Sequence, residues 1–122
     1  MTGAASSTRL WLEPRLKDAP SELRDDILQL LDTTPGIDLS DPVDALAMAA
    51  LVGLEQVVAG TGNRTEALRL LAADAALTYA FEAAAEAGRS AELAARVGLD
   101  GELGRRLTEA AKAQGGSEVG GA

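Results

Sequence analysis

Two stretches of the chain decide the fold: residues 41–59 read DPVDALAMAALVGLEQVVA, and residues 64–87 read RTEALRLLAADAALTYAFEAAAEA. Both are rich in Ala and Leu, the strongest helix formers among apolar residues. The middle of the first stretch, residues 45–54, carries no charge, and a helix that is apolar on nearly every side must be buried. The short link between the stretches favours antiparallel neighbours. The sequence therefore predicts an all-α fold, a small helical bundle built on a central antiparallel helical hairpin (41–59/64–87) with short flanking helices.

Small residues recur at every fourth position in both halves of this hairpin. They are Ala45, Ala49 and Gly53 in the first half and Ala72, Ala76, Ala80 and Ala84 in the second. Residues spaced by four form a ridge along one side of a helix, and small side chains on that ridge let two backbones approach closely. We therefore predict that the two ridges pack on each other, and we take these seven residues as the candidate helix-packing or interface positions.

Shorter helices are predicted on either side of the hairpin, over residues 8–18, 22–32, 90–97 and 100–112. Capping residues mark the helix starts, with Ser40 or Asp41 before the first central helix and Asn63 with Glu66 before the second. Residues 1–7 are predicted to be a flexible N-terminus, and residues 8–113 a single α-helical domain. Residues 114–122, QGGSEVGGA, contain four glycines and are predicted to be a flexible tail.

The absence of His and Cys from the 122 residues excludes several kinds of chemistry. A Ser-His-Asp or Cys-His site cannot form within the chain, and neither can a Cys-ligated zinc or iron–sulfur centre. We therefore predict no catalytic residues, no cofactor and no metal ligands. An enzyme that uses carboxylates alone, with or without a metal ion, remains as an alternative.

A speculative polar site lies on the second central helix. Asp74 lies among apolar neighbours in LAADAAL, and Tyr79 follows five residues later. A buried carboxylate would have a raised pKa and could act as an acid or base. The structural reading, in which Asp74 faces solvent or an arginine such as Arg69 or Arg105, is favoured. Glu82 and Glu86, one turn apart, are read as a solvated acidic face rather than as cation ligands.

Acidic residues are concentrated in one third of the chain. Residues 18–60 carry nine acids and one base, and the whole chain has a net charge of -8. This charge would repel a phosphate backbone, so no nucleic-acid binding is predicted. The longest apolar run is about half the length of a membrane span, so no membrane insertion is predicted. With no signal-peptide pattern at the N-terminus, the expected location is cytoplasmic. The acidic segment is either a solvated face or a docking surface for a basic partner.

The missing catalytic residues and the apolar hairpin together favour a non-catalytic protein–protein interaction or scaffold module. Two helices this apolar exceed what short flanking helices are expected to cover, so a homodimer through the hairpin is the predicted assembly. Another protein, basic in character, is the other expected partner. The first alternative is a binder of an apolar small molecule or acyl chain held between helices. The second is the carboxylate-only enzyme.

Overall fold

The computed structural model describes residues 6–98 and 100–121, with side chains described as far as residue 113. The described chain is all-α, as predicted, and contains no strand. In chain order its helices are α1 (Ser7–Leu16), α2 (Ser21–Thr33), α3 (Pro42–Ala59), α4 (Arg64–Glu86), α5 (Ser90–Val97) and α6 (Glu102–Gly121).

The α3–α4 hairpin is the centre of the bundle, and α3 packs more extensively on α4 than any other two helices pack on each other. Six of the seven ridge residues have no solvent-exposed surface, and Gly53 is also buried. The two helices approach closely at Gly53, where an added Cβ would lie 2.9 Å from the Cβ of Ala73 and 3.2 Å from Cδ1 of Leu30. These seven positions therefore lie in the interior of one chain and are not free to contact a second one.

Capping residues fix where the two central helices begin. The side chain of Asp41 accepts hydrogen bonds from the backbone N–H groups of Val43 and Asp44, so that α3 starts at Pro42. Asn63 accepts from the N–H of Glu66 at 2.9 Å, and the Glu66 carboxylate accepts from the N–H of Asn63 at 3.1 Å. This reciprocal capping box satisfies two amide donors that the first turn of a helix leaves free.

The flanking helices differ from the prediction at their ends. Ser6 caps α1, which starts at Ser7 and ends at Leu16, before the breaker Pro20. Ser21 is the first residue of α2 and makes no capping hydrogen bond, because the extended backbone of Pro20 already occupies the cap position.

The C-terminal tail is the largest difference from the predicted secondary structure. α6 continues to Gly121 instead of ending near residue 112. Each glycine weakens a helix by about 1 kcal/mol relative to Ala but retains the N–H that continues the backbone hydrogen bonds. No proline is present there to remove that donor. Residues 1–5, most of the predicted flexible N-terminus, lie outside the described residues.

The flanking helices cover more of the hairpin than the sequence suggested. They contribute a set of large side chains with at most 3% of their surface exposed: Leu12, Leu16, Ile27, Leu30, Leu31, Leu93 and Leu103. Within the described side chains, Leu10, Leu70 and Leu71 are the large hydrophobic residues that remain exposed. Only Leu70 and Leu71 belong to the hairpin, so one chain wraps most of its apolar surface.

Among the described helices, only α3 is long and apolar enough to cross a membrane. Ala45 and Leu46 in its centre have no exposed surface, as expected of the core helix of a globular domain.

Candidate functional site

The side of α4 that faces away from α3 carries the two exposed leucines of the hairpin. Leu70 is 44% exposed and Leu71 is 58% exposed. A stripe of exposed residues runs along this side at alternating spacings of three and four: Arg64, Ala67, Leu71, Asp74 and Thr78. At about 100° per residue this stripe lies roughly opposite the buried alanines that contact α3. We call these five residues, together with Leu70, the outer face of α4.

A shallow groove borders the outer face where α4 begins. It lies between the first turn of α2 and the first two turns of α4, and it is lined by Glu22, Arg64, Thr65, Ala67, Leu68 and Leu71. The capping box fixes Arg64 as the first helical residue of α4. The packing of the buried alanines in the core then determines which leucines of α4 face solvent.

Two opposite charges flank the apolar part of the outer face. Arg64 and Asp74 are both exposed, and neither forms an ion pair with any residue whose side chain is described. The one hydrogen bond at Asp74 is to its backbone carbonyl, which accepts from the Thr78 hydroxyl at 3.0 Å. Most of the other arginines form ion pairs with described carboxylates, and Arg64 differs from them in this respect.

The structure does not bring the two residues of the speculative polar site together. Asp74 is exposed, as the favoured interpretation predicted, so its carboxylate is not a buried acid or base. Tyr79 is half-buried on another side of α4, where its hydroxyl donates to the backbone carbonyl of Arg15 at 3.4 Å. The arginines considered as partners for Asp74 are engaged elsewhere: Arg69 with Asp26, and Arg105 with the backbone carbonyl of Asp100.

Glu82 and Glu86 hold α1 against α4 rather than forming a free acidic face. Arg15 donates to Glu82 at 2.8 Å and to Glu86 at 2.7 Å. The indole N–H of Trp11 donates to Glu86 at 2.8 Å. The Cζ atom of Arg15 lies 3.7 Å from the centre of the Trp11 ring, within the range of a cation–π interaction. The Trp11 and Tyr79 rings meet edge to face, with centres 6.3 Å apart.

The electrostatics of this cluster favour its charged form. The hydrogen bond from the Trp11 indole, with a smaller contribution from the charge of Arg15, lowers the pKa of Glu86. The hydrogen bond to Glu82 raises the pKa of Arg15. Both carboxylates therefore act as structural partners of α1. The lowered pKa of Glu86 is the opposite of the raised pKa expected of a general acid near neutral pH.

Much of the acidic segment, residues 18–60, is paired with arginines from the second half of the chain. The pairs are Asp26 with Arg69 at 2.8 Å, Asp41 with Arg89 at 2.9 Å, Asp44 with Arg96 at 3.2 Å and Glu55 with Arg106 at 3.3 Å. These carboxylates join helices to one another, so the segment is neither wholly a solvated face nor wholly a docking surface.

Asp26 and Arg69 form the most buried of these pairs. Their side chains are 12% and 15% exposed. Two guanidinium nitrogens of Arg69, Nε and Nη2, donate to the two carboxylate oxygens of Asp26 at 2.8 and 2.9 Å. Gln29 and Gln56 accept the remaining donors. This two-pronged geometry is the stronger form of an arginine–carboxylate interaction, and it joins α2 to α4.

One cavity between helices is lined by apolar residues, with little polar surface. It has a volume of about 100 Å³ and lies among α3, α4, α5 and α6. Its walls are formed by Ala47, Ala50, Leu51, Leu54, Leu77, Val97, Leu103, Gly104 and Leu107. Among the described side chains, no group of three or more Asp and Glu residues is placed to hold a metal ion.

The fold and these surfaces define a small acidic helical bundle in which several carboxylates join its helices. No protein-family model, curated protein sequence or solved structure matches the chain. The interpretation of its function therefore depends on its own surfaces and cavities.

Proposed function

We propose that the chain is a non-catalytic protein–protein interaction module that acts as a homodimer in the cytoplasm. The observation that supports the proposal is the exposed leucine pair on the outer face of α4. A contiguous apolar patch on a surface is informative, whereas single exposed apolar residues are ordinary. Leu71, the more exposed of the two leucines, lines one groove with Ala67 and Leu68, so these three residues form one apolar patch.

The intramolecular ion pairs favour contact at the outer face of α4 over docking of a basic partner on the acidic segment. A basic protein that docked on the acidic segment would compete with Arg69, Arg89, Arg96 and Arg106 for their carboxylates. The outer face of α4 needs no such exchange, because its charges have no partner among the described side chains. Contact there would remove apolar surface from water without breaking an intramolecular ion pair.

The association state tests the proposal, with two matched leucine variants. Sedimentation velocity of the wild-type protein over a range of concentrations should show a growing dimer fraction. Leu71→Glu places a charge in the proposed contact and should leave a monomer. Leu10→Glu is the control, because Leu10 is 61% exposed but lies on α1; this variant should dimerise like the wild type. A wild-type protein that stays monomeric, or equal behaviour of the two variants, contradicts the proposal.

The apolar cavity supports a second candidate function, the binding of a small apolar molecule. Ligand sites in helical proteins commonly lie between helices. A volume of about 100 Å³ is smaller than the engineered cavity of about 150 Å³ that binds benzene in another protein. The ligand class is therefore a compact apolar molecule rather than a whole acyl chain.

Thermal melting in the presence of benzene tests this second candidate. Binding to the folded state should raise the melting temperature of the wild-type protein. In Ala47→Leu the larger side chain would fill the cavity, and benzene should then have no effect. If the two proteins respond equally to benzene, the cavity is not a binding site.

A further inference from the structure

We infer that the outer face of α4 pairs in antiparallel orientation with the same face of a second copy, about a two-fold axis level with residue 69. This inference rests on the proposed function, since it names the surface and the register of the homodimer. The partner is a second copy of this chain. The spacing of the exposed residues, the placement of their charges and the size of the apolar patch support this pairing.

The exposed residues have the spacing of a coiled-coil seam. Positions 64, 67, 71, 74 and 78 alternate by three and four, which is the period that keeps one side of a helix facing a partner helix. This stripe is solvent-exposed along its whole length. α3 lies on the other side of α4, so a partner helix could approach without displacing it.

In an antiparallel two-fold pairing, small side chains of one copy meet large side chains of the other along this stripe. With the axis at the level of residue 69, a residue two positions before it meets the partner's residue two positions after it. Leu71 of each copy then packs on Ala67 of the other copy, a large side chain against a small one. Leu68 lies one position before the axis and Leu70 one position after it, on the two sides of this contact.

The same register matches the charges. Arg64 lies five positions before the axis and Asp74 lies five positions after it, about 15 Å apart along α4. Arg64 of each copy therefore meets Asp74 of the other, and the dimer contains this pair twice. A parallel pairing would instead place Arg64 against Arg64 and Asp74 against Asp74. The two charges without described partners in the monomer are complementary only in the antiparallel arrangement.

The patch is small, which sets the strength of the association. Four apolar residues from each copy form the centre of the contact, well short of the 20–30 residues per partner in a stable interface of about 1,600 Å². We therefore expect a dimer whose population rises with concentration, rather than a permanent one. The net charge of -8 on each copy opposes association and adds to this dependence.

Mixing two charge-reversal variants tests the register. Arg64→Asp alone opposes two carboxylates twice per dimer, and Asp74→Arg alone opposes two guanidinium groups twice. Each variant by itself should have a dimer dissociation constant raised about tenfold or more. In a mixture, the altered residue of each variant meets the altered residue of the other, and the unaltered Arg64 and Asp74 also meet. The mixed dimer should therefore form with an affinity within about threefold of the wild type.

Lys17→Asp and Asp18→Arg make the same changes in net charge at exposed positions off α4, so they serve as the control pair. Alone or mixed, they should dimerise like the wild type in sedimentation velocity. Melting curves check that the variants fold. A wild-type dimer that is insensitive to charge reversal at 64 and 74 overturns this register but leaves the proposed homodimer standing. A wild-type monomer at every concentration overturns both. The antiparallel pairing is supported if Arg64→Asp and Asp74→Arg dimerise when they are mixed but not when each is measured by itself.

Discussion

Gly53→Ala adds a single methyl group where α3 and α4 approach closely, and two effects of opposite sign follow. Alanine favours a helix over glycine by about 1 kcal/mol in a helix interior. The new Cβ would lie 2.9 Å from the Cβ of Ala73, whereas carbon atoms pack favourably at about 3.5–4.0 Å. Neither Cβ can rotate away, because both are attached directly to backbone.

Relief of this contact requires α3 and α4 to separate by about 0.6 Å or more. The separation would loosen contacts along the whole ridge, and overpacking of this kind costs about 1–3 kcal/mol. Leu30 lies 3.2 Å from the same point but can adjust, because the atom concerned is at the end of a flexible side chain. We therefore expect a net loss of about 1 kcal/mol, which lowers the melting temperature by about 4 °C.

Denaturant unfolding of four proteins separates the two effects: the wild type, Gly53→Ala, Ala73→Gly and the double variant. The double variant moves the methyl group from one helix to the other and removes the clash. Its free energy of unfolding should exceed the additive expectation by about 1 kcal/mol or more. If Gly53→Ala proves more stable than the wild type by about 1 kcal/mol, helix propensity alone acts at this position and the close approach is refuted.

Three further predictions follow from other contacts. Arg69→Met leaves the Asp26 carboxylate buried without the guanidinium that pairs with it, and should lower the free energy of unfolding by about 3 kcal/mol. Adding Asp26→Leu in a double variant should restore part of this loss. Urea unfolding measures the stability of the single and the double variant. The lowered pKa of Glu86 means that its contribution to stability is present above the ordinary glutamate pKa of 4.5 and is lost as the pH falls through the lower, folded value. The difference in melting temperature between the wild type and Trp11→Phe, which lacks the indole donor, should therefore shrink as the pH is lowered from about 6 to about 3, and a constant difference would contradict this account. Truncation after Ala113 removes the glycine-rich segment and should leave the melting temperature unchanged, whereas a fall of several degrees would place that segment within the folded domain.

The helical hairpin could be predicted from the sequence because its signals are local. Asp41, Asn63 and Glu66 cap helices within three or four residues of themselves, so their roles can be read from neighbouring positions. The four-residue spacing of small side chains likewise predicts which sides of α3 and α4 are buried. The outer face of α4 could not be predicted in this way, because every side of a helix has a spacing of three and four and the residues of this side differ in chemical type.

The ion pairs could not be predicted because their partners lie far apart in the chain. Asp26 and Arg69 are 43 residues apart, and Asp44 and Arg96 are 52 residues apart. A carboxylate on a helix has several arginines available by composition, and only the packing of the helices selects one of them. The acidic segment therefore looked like an excess of charge, although the structure divides it among its own arginines.

The long-range ion pairs also constrain when the chain can fold during its synthesis. The first 60 residues carry ten acids and four bases, a net charge of -6. When they leave the ribosome, α3 has no α4 to pack on, and Asp26, Asp41 and Asp44 have not yet met their arginines. At about 5–20 residues per second, synthesis of the residues up to the end of α4 takes about 1–5 seconds, during which the apolar side of α3 has no α4 to cover it. The mutual repulsion of these acids opposes contact between nascent chains during that interval, before some of the same carboxylates join the helices.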